Sequence, residues 1–374
     1  MTTTAHMVRG LQAAEAMMKI HTAVYGLGAL ALAACASASE GASSSSESEA
    51  TGEAANLPPF SFAPSAEDAR DGAGQPALVP SNAFWLAALS GLSYGTGEQI
   101  TKALLGAGLD FTAPGQEFRF FDEPSTSAQA FYLSTGKVAF LVFRGSQEKR
   151  DWELNGEERP LAGVAPGGAV HTGDQTQLQS VWPTVREFLA QRHYRDDSAG
   201  APATRGVPLY VGGHSLGGAL ATLATYHALY DGCLRTPGWA KQPRVDPNSA
   251  CNNSYIPVAG LYTYGQPRAG DLNFARDLAG RMDKTRTAHF RFVNGHDIVA
   301  GLPGIPYRHV GARNEFDHIV GLSADGALLP GRVANPFERA PCTGAVEDHS
   351  IRVYAEKLLA KANATPYKAP PCNK

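Results

Sequence analysis

The sequence lacks two features that distinguish other classes of protein, an excess of positive charge and a repeating unit. Its 374 residues carry 32 Lys and Arg against 35 Asp and Glu, a net charge of −3, so it lacks the positive excess of a nucleic-acid-binding protein. No repeating unit is visible, which argues against a solenoid. With 43% hydrophobic and 18% charged residues, the chain can bury one substantial core or two modest ones. The 40 Gly and 25 Pro residues predict many turns and loops, as in a large α/β enzyme.

A short apolar stretch near the N-terminus has the features of an export signal. From Met18 the chain reads MKIHTAVYGLGALALAAC, with one Lys, an apolar stretch and then small residues before Cys35. This stretch is too short to span a bilayer as a transmembrane helix. It has the n-region, the apolar h-region and the small-residue cleavage site of a secretory signal. Glu15 is unusual before such a signal, so we expect translation to start at Met17 or Met18.

The end of this stretch also suggests a lipid anchor. The tetrapeptide LAAC at 32–35 resembles the lipobox of bacterial lipoproteins, which implies lipid modification of Cys35. Residues 36–56 contain no aromatic residue and no Val, Ile or Leu, so they predict a flexible tether. We therefore expect a signal peptide over 1–35, a linker over 36–58 and a folded domain over 59–374. The exported protein would be attached to the bacterial outer membrane or cell surface; the alternative is an ordinary signal peptide whose cleavage site contains a cysteine.

Cysteines are scarce, and their number fits an exported protein. The chain has five, and lipid modification of Cys35 leaves four, an even number that suits disulfides. Four cysteines allow three pairings. The shortest loops join Cys233 to Cys251 and Cys342 to Cys372, and we predict these two pairs, which would hold an insertion and the C-terminal tail.

The pattern G-x-S-x-G occurs at Ser93 and at Ser215, and by itself it is weak evidence. Ser93 follows SNAFWLAALSGL, whose apolar residues have helical spacing, with Ser81 or Asn82 as a possible N-cap. Ser93 is therefore expected at the end of an amphipathic helix. Ser215 instead follows the β-prone run VPLYV and precedes LGGALATLATYHALY, a good helix former. This order of strand, serine and helix is that of a nucleophile elbow, and the alternative is a glycine-rich turn with an incidental serine.

Two backbone N–H groups are predicted to form an oxyanion hole near Ser215. The start of the following helix directs free N–H groups and its positive dipole end at the serine, so Leu216 is one predicted donor. The second donor should follow an early strand. The apolar run at 138–143 predicts such a strand, and the sharp turn after it makes Ser146 the candidate. The alternative for Ser146 is a plain strand-ending turn.

A serine nucleophile needs a base and an acid. Among the aspartates after Ser215, Asp297 closes a β-prone run, AHFRFVNGHD, which places it in a loop after a strand. Asp271 starts a helical stretch and is predicted to be an N-cap. His349 directly precedes an apolar helical stripe that would hold it by packing, so it is the predicted base. His309 lies in the β-like run YRHV and is expected to be a buried structural imidazole.

Together these motifs resemble the class 3 (fungal-type) lipases of the α/β-hydrolase superfamily. The shared features are FRGS at 143–146 followed by Trp152, VHTG at 170–173, GHSLGG at 213–218, YGQPRAGD at 264–271, VNGHDIV at 293–299, YRHVG at 307–311 and a histidine before the last helix. The resemblance implies an α/β-hydrolase fold with a central, mostly parallel sheet flanked by helices. It also implies a triad of Ser215, Asp297 and His349, and an oxyanion hole formed by Ser146 and Leu216. Hydrolysis of carboxylic esters through an acyl-enzyme, without a metal or other cofactor, would follow.

Two segments depart from the family pattern. Residues 231–254 look like an insertion, and residues 147–160, QEKRDWELNGEERP, are rich in charge where family lipases cover the site with an apolar face. A charged surface loop disfavours binding to a triglyceride droplet and favours short-chain esters, phospholipids or other esters. The expected partners are a lipid or other ester substrate and a membrane surface, with no nucleic acid. The alternatives are a phospholipase A1 or an aryl (feruloyl-type) esterase on the same fold, or a non-catalytic surface lipoprotein that acts as a binding module.

Overall fold

The computed structural model describes most of the chain beyond its N-terminal segment. The described residues are 57–63, 77–146, 161–165, 168–198, 206–238, 241, 246, 249–295, 297–304, 306–310, 319–322, 328–330 and 347–365. All of them belong to the second of the two units into which the chain divides, Ala50–Lys374. Outside the described residues lie Cys35, Cys342, Cys372 and the charged segment 147–160.

The described residues form helices and strands that largely alternate along the chain. The helices are α1 (Pro80–Leu92), α2 (Gly97–Gly106), α3 (Thr172–His193), α4 (Leu216–Leu229), α5 (Asp231–Leu234), α6 (Leu272–Thr285) and α7 (Ile351–Ala362). The strands are β1 (Gln116–Glu123), β2 (Ala128–Thr135), β3 (Ala139–Phe143), β4 (Leu161–Ala165), β5 (Gly168–His171), β6 (Arg195–Asp196), β7 (Leu209–His214), β8 (Ser254–Tyr255), β9 (Gly260–Tyr264), β10 (Ala288–Asn294), β11 (Ile319–Leu322) and β12 (Leu328–Pro330). Short 3₁₀ turns occupy Ala250–Asn253, Val299–Gly301 and Glu347–His349.

An eight-stranded sheet in the order β1-β2-β3-β7-β9-β10-β11-β12 is the centre of the fold. Its middle strands, from β3 to β11, run parallel, while β1, β2 and β12 join the edges by antiparallel pairing. The helices that connect parallel strands must cross over a face of the sheet. The carboxyl ends of β3, β7, β9 and β10 therefore meet at one edge, where an open α/β sheet collects its functional groups.

Helices cover both faces of the sheet, and alternate residues of each strand serve the two layers. In β3, Phe140 and Val142 join one core cluster with α1, α2 and α7, whereas Leu141 and Phe143 join the other with α3, α4 and α6. Successive side chains of a strand point to opposite faces, so a strand buried on both faces reads as a continuous apolar run. That is the pattern from which the strand at 138–143 was predicted. The prediction of an α/β fold with a mostly parallel sheet is confirmed.

The helix that ends at the first G-x-S-x-G pattern begins earlier than predicted. Its N-cap is Val79, without a side-chain hydrogen bond, and Pro80 takes the first helical position. The prediction of Ser81 or Asn82 as the N-cap is therefore wrong. Asn82 is instead buried and exchanges two hydrogen bonds with the backbone of Ala63, at 3.0 and 3.2 Å. Proline suits this position because its fixed φ and missing N–H cost nothing there.

The same helix is buried on nearly all sides rather than amphipathic, because the sheet covers one side and α7 packs against another. The prediction that Ser93 lies at its end is confirmed, since Ser93 is the C-cap of α1 and its hydroxyl donates to the Ser90 carbonyl oxygen at 2.7 Å. Apolar residues on one face reveal a helix in the sequence, but only the packing reveals that its other faces are covered too.

Two local features beyond the sheet match the sequence patterns. Cys233 and Cys251 form a disulfide, with Cα atoms 4.7 Å apart, between α5 and the 3₁₀ turn at Ala250–Asn253. The carboxylate of Asp271 caps α6 by accepting a hydrogen bond from the Phe274 N–H at 2.8 Å, as predicted. No helix among the described residues is long and apolar enough to cross a bilayer.

Candidate active site

Ser215 occupies a sharp turn between β7 and α4. Its φ is 57° and its ψ is −131°, a conformation that L-residues rarely adopt and that persists only where the surrounding structure enforces it. The Ser215 N–H donates to the Tyr264 carbonyl oxygen at 2.9 Å, and the Ser215 carbonyl accepts from the Gly218 N–H at 2.9 Å. Ser215 is therefore held at the end of one strand and is the N-cap of the helix that begins at Leu216.

Glycines around this turn allow the segment after β3 to approach it. A Cβ at Gly217 would overlap the carbonyl oxygen of Phe143, and one at Gly145 would lie 2.8 Å from the His214 carbonyl oxygen. Only glycine permits backbones to pack this closely. The turn that ends at Ser146, which is 8% exposed, thus packs against the elbow. The two predicted oxyanion donors, Ser146 and Leu216, lie on these neighbouring segments.

Asp297 and His349 form a buried pair near the same edge of the sheet. Asp297 lies in the loop after β10, and His349 ends the 3₁₀ turn directly before α7. His349 Nδ1 is 2.9 Å from each carboxylate oxygen of Asp297, and the side chains of His349 and Asp297 are 7% and 0% exposed. A carboxylate only accepts hydrogen bonds, so the Nδ1 atom carries the proton. The other ring nitrogen, Nε2, is then the acceptor in the neutral imidazole.

Tyr354, on α7, is a member of this site that the sequence reasoning did not identify. Its hydroxyl donates to Asp297 Oδ2 at 2.6 Å and accepts from the Asn294 N–H at 2.9 Å. Burial and the Asp297 carboxylate raise the pKa of Tyr354 well above its usual value, so the hydroxyl keeps its proton. The Val299 N–H donates to Asp297 Oδ1 at 3.0 Å, which gives the carboxylate a third donor. The only signal for Tyr354 in the sequence is its place in an apolar helical stripe, because a tyrosine buried there needs a hydrogen-bond partner. That signal does not identify the partner.

Gly265 connects the elbow to the Asp297–His349 pair. Its φ is +56°, and a Cβ there would lie 2.5 Å from Asp297 Oδ2 and 2.8 Å from His349 Nδ1. The residue before it, Tyr264, accepts the N–H of Ser215. The structure therefore gathers the three predicted triad residues at the carboxyl ends of β7, β9 and β10, where parallel strands present their functional groups.

Replacing Gly265 by Ala is expected to lower the free energy of unfolding by about 2–4 kcal/mol, because the new methyl group meets both the left-handed backbone and the buried pair. Gly280, inside α6, provides the matched control because a Cβ there would meet nothing within 4 Å. Gly280→Ala should leave stability unchanged or raise it by up to about 1 kcal/mol. Urea unfolding of both variants measures the difference, and equal stabilities would refute the close approach.

His309, the histidine of the YRHV run, is buried away from solvent and is bonded to the backbone. His309 is 8% exposed, and its Nε2 is 2.8 Å from the Ala300 carbonyl oxygen. Burial and the nearby Arg291 and Arg268 lower the pKa of His309 well below its usual value, so it is neutral. Within the described ranges, no group of three or more His, Cys, Asp or Glu side chains is placed to hold a metal ion.

Comparison with known proteins identifies related lipases. Residues 140–307 match the model of the family Lipase (class 3). Lipase ZK262.3 of Caenorhabditis elegans is 29% identical over 229 residues, which are 56% of this chain and 54% of that protein. Secreted mono- and diacylglycerol lipase 1 of Fusarium solani is 26% identical over 237 residues, 63% of this chain and 60% of the relative. The chloroplastic phospholipase A1-Igamma1 of Arabidopsis thaliana is 39% identical over 95 residues, 25% of this chain and 15% of the relative.

The chain thus spans about half the length of two of these relatives and less of the third. Among solved structures, the triacylglyceride lipase of Rhizomucor miehei is similar with a TM-score of 0.43 and 21% identity, over 71% of this chain and 90% of that one. The architecture described above, with its strand–serine–helix turn, is that of an α/β-hydrolase. Over residues 140–307 the chain is therefore similar to the class 3 lipases.

Proposed function

We propose that this protein is a serine hydrolase that cleaves carboxylic esters of lipids. One observation carries the proposal, which is the proximity of Ser215 to the Asp297–His349 pair. Ser215, in its strained turn, donates its N–H to the carbonyl oxygen of Tyr264. The next residue, Gly265, packs directly against the buried Asp297–His349 pair. A strained serine at the start of a helix, beside a histidine oriented by a carboxylate, is the arrangement that nucleophilic acyl transfer requires.

His349 acts as the general base and Asp297 orients it. Asp297 accepts the hydrogen bond from His349 Nδ1–H, which leaves His349 Nε2 unprotonated. Nε2 therefore accepts the proton of the Ser215 hydroxyl as the serine oxygen attacks the ester carbonyl carbon. The imidazolium that forms is stabilised by the ionised carboxylate, which does not itself take the proton. His349 then gives the proton to the departing alcohol, and an acyl-enzyme remains on Ser215.

The negative charge that develops on the carbonyl oxygen is stabilised by the backbone N–H groups of Leu216 and Ser146. The first of these groups starts α4, where the helix dipole adds positive potential. Water then attacks the acyl-enzyme with His349 as base again, which releases the fatty acid and restores Ser215. No metal or other cofactor takes part in this scheme.

The substrate class rests on the relatives. The names of two of them state action on mono- and diacylglycerols and on phospholipids at the A1 position. We propose that the substrate is an acyl ester of a lipid, and that triacylglycerol or a related glyceride is the first candidate. Phospholipase A1 activity is the second candidate, favoured by the 39% identity over 95 residues to the plant enzyme. The charged segment at 147–160 favours substrates other than long-chain triglyceride, and it lies outside the described residues.

A substrate panel tests the proposal. The purified protein is assayed on tributyrin, a long-chain triglyceride, a phosphatidylcholine with distinguishable acyl chains, and short aryl esters including a feruloyl ester. Release of fatty acid from a glyceride or from the phospholipid supports a lipid ester hydrolase and decides between the two candidates. Cleavage of feruloyl esters alone would favour the aryl esterase. If no ester is cleaved and a fluorophosphonate does not label the protein, the non-catalytic binding module is the better description.

We also propose that the protein is exported and anchored by lipid at Cys35, with residues 36–58 as a tether and residues 59–374 as the catalytic domain. The LAAC motif and the polar composition of 36–56 support this proposal. An anchor of this kind would hold the enzyme at the bacterial outer membrane or the cell surface.

Replacing Cys35 by Ala is expected to abolish incorporation of labelled fatty acid and to shift the protein from the membrane fraction to the soluble fraction, because the acyl chains supply the membrane affinity. Ser43→Ala, in the tether, is the matched control and should behave as the wild type. If the Cys35→Ala protein still incorporates label and sediments with membranes, the lipobox interpretation is wrong.

A further inference from the structure

His214, directly before Ser215, has a hydrogen-bond partner at each ring nitrogen. Nδ1 is 2.8 Å from the hydroxyl oxygen of Tyr94, and Nε2 is 2.7 Å from the backbone carbonyl oxygen of His349. The imidazole is 5% exposed. These contacts join residues 120 and 135 positions apart in the sequence. His214 therefore connects the elbow to the loop that carries the proposed base.

The partners determine where the protons of this pair lie. A backbone carbonyl only accepts hydrogen bonds, so His214 Nε2 carries a proton and donates it to His349. In a neutral imidazole the other nitrogen is then an acceptor, and the Tyr94 hydroxyl donates to it. The two hydrogen bonds thus select one tautomer of His214, and that tautomer holds the backbone of His349.

The neutral state of His214 matters because its ring lies next to the ring of His349. The ring centroids are 4.5 Å apart. Burial and the neighbouring His349 lower the pKa of His214 well below its usual value. When His349 takes up the serine proton, it therefore has a neutral neighbour rather than a second cation, and the positive charge on His349 is not opposed at close range.

Tyr94 comes from the first G-x-S-x-G pattern, which supplies no nucleophile. It directly follows Ser93, the C-cap of α1, so the packing of α1 on the sheet determines where its hydroxyl lies. A Cβ at Gly145 would overlap this hydroxyl. The Tyr94 side chain thus lies against the turn that leads to Ser146 as well as against His214.

We propose that Tyr94 and His214 are positioning residues: their hydrogen-bonded pair holds the backbone of His349, and thereby its imidazole, in the orientation that proton transfer from Ser215 requires. The inference rests on the proposed function for its kinetic consequence. Its structural part, the tautomer of His214 and its bond to His349, stands independently of any substrate.

Three variants measure separately the contributions of the Tyr94 hydroxyl and the His214 imidazole. Tyr94→Phe removes one hydroxyl and should lower kcat about 5- to 30-fold with KM for a short-chain ester within about twofold, because the loss falls on transition-state geometry. His214→Leu removes both hydrogen bonds and should lower kcat by about 100-fold. A glutamine amide can donate to the His349 carbonyl and accept from Tyr94, so His214→Gln should recover about tenfold relative to the Leu variant.

A second buried tyrosine–histidine pair provides the matched control. Tyr132, on β2, lies with its hydroxyl oxygen 3.1 Å from Nε2 of His193, and both side chains are buried in the layer formed by α3. Tyr132→Phe removes the same group from the same kind of pair, away from the site. It should lower stability as much as Tyr94→Phe does while leaving kcat unchanged.

Histidine-selective ¹⁵N NMR of the full chain provides a readout that needs no substrate. The wild type should show His214 as a single neutral Nε2–H tautomer. Tyr94→Phe removes the donor to Nδ1, so it should shift the His214 Nδ1 resonance and the His349 resonances while His214 stays protonated at Nε2. A His214 protonated at Nδ1, or unchanged His349 resonances in Tyr94→Phe, would overturn the proposal. Equal kcat values for Tyr94→Phe and Tyr132→Phe in an active enzyme would also overturn it. If the wild type cleaves no ester, the proposed function fails, while the NMR result still decides whether the pair positions His349.

Discussion

Ser215→Ala is expected to abolish ester hydrolysis, with kcat lowered by about 10⁴- to 10⁶-fold, because no other group near His349 is proposed to form the acyl-enzyme. Binding and the backbone donors leave only a small residual rate. Alanine keeps the Cβ that serine already places at φ 57°, so the turn and the fold should persist. Fluorophosphonate labelling, measured by intact mass, should disappear together with turnover.

The second G-x-S-x-G serine is the internal control. Ser93 is 2% exposed, and its hydroxyl donates only to the Ser90 carbonyl oxygen at the end of α1 among the contacts described. Ser93→Ala should cost about 1 kcal/mol of stability and leave both turnover and labelling intact. Loss of labelling in Ser93→Ala with retention in Ser215→Ala would refute the assignment of the nucleophile.

Asp297→Asn is expected to lower kcat by about 10⁴-fold with little change in overall geometry. The amide nitrogen can donate to His349 Nδ1, and the proton then moves to Nε2, so the imidazole no longer accepts the serine proton. The variant also disturbs the bonds to Tyr354 and Val299, which both donate to the carboxylate. We therefore expect lower stability as well, measured by thermal unfolding alongside steady-state kinetics.

Asp277, on α6, separates the two effects of that substitution. It is another buried carboxylate that accepts from two hydroxyl groups, those of Tyr226 at 3.2 Å and Tyr230 at 2.7 Å. Burial raises its pKa above the usual value. Asp277→Asn should change stability without changing kcat. If Asp297→Asn and Asp277→Asn reduce kcat to the same small extent, Asp297 does not orient the base.

Much of the central fold could be predicted because its signals are local. The continuous apolar run at 138–143 and the run before Ser215 predict buried strands, since a strand covered on both faces has no polar side. The glycines and helix formers around Ser215 predict the turn, because the backbone there admits few other residues. Asp297 after a strand and His349 before a helix follow from the same logic, and their roles in catalysis stay predictions.

Features that depend on long-range packing could not be predicted in this way. The burial of α1 on nearly all sides results from packing against the sheet, α7 and the segment at 57–63, none of which adjoins it in sequence. Tyr354 reads as one more apolar position until the fold brings its hydroxyl to Asp297. The Cys233–Cys251 disulfide, by contrast, is predicted from its short loop in the sequence and is confirmed by the structure.

The sequence by itself determined which residues are candidates for catalysis and in what order they occur, because turns, strand ends and helix starts are encoded by neighbouring residues. Only the tertiary structure decided which groups surround them. Tyr94 lies 120 residues before His214, and His214 lies 135 residues before His349, yet hydrogen bonds of 2.8 and 2.7 Å join them. The physical reason is that these contacts form only when parallel strands and their covering helices pack, and no local pattern specifies that packing.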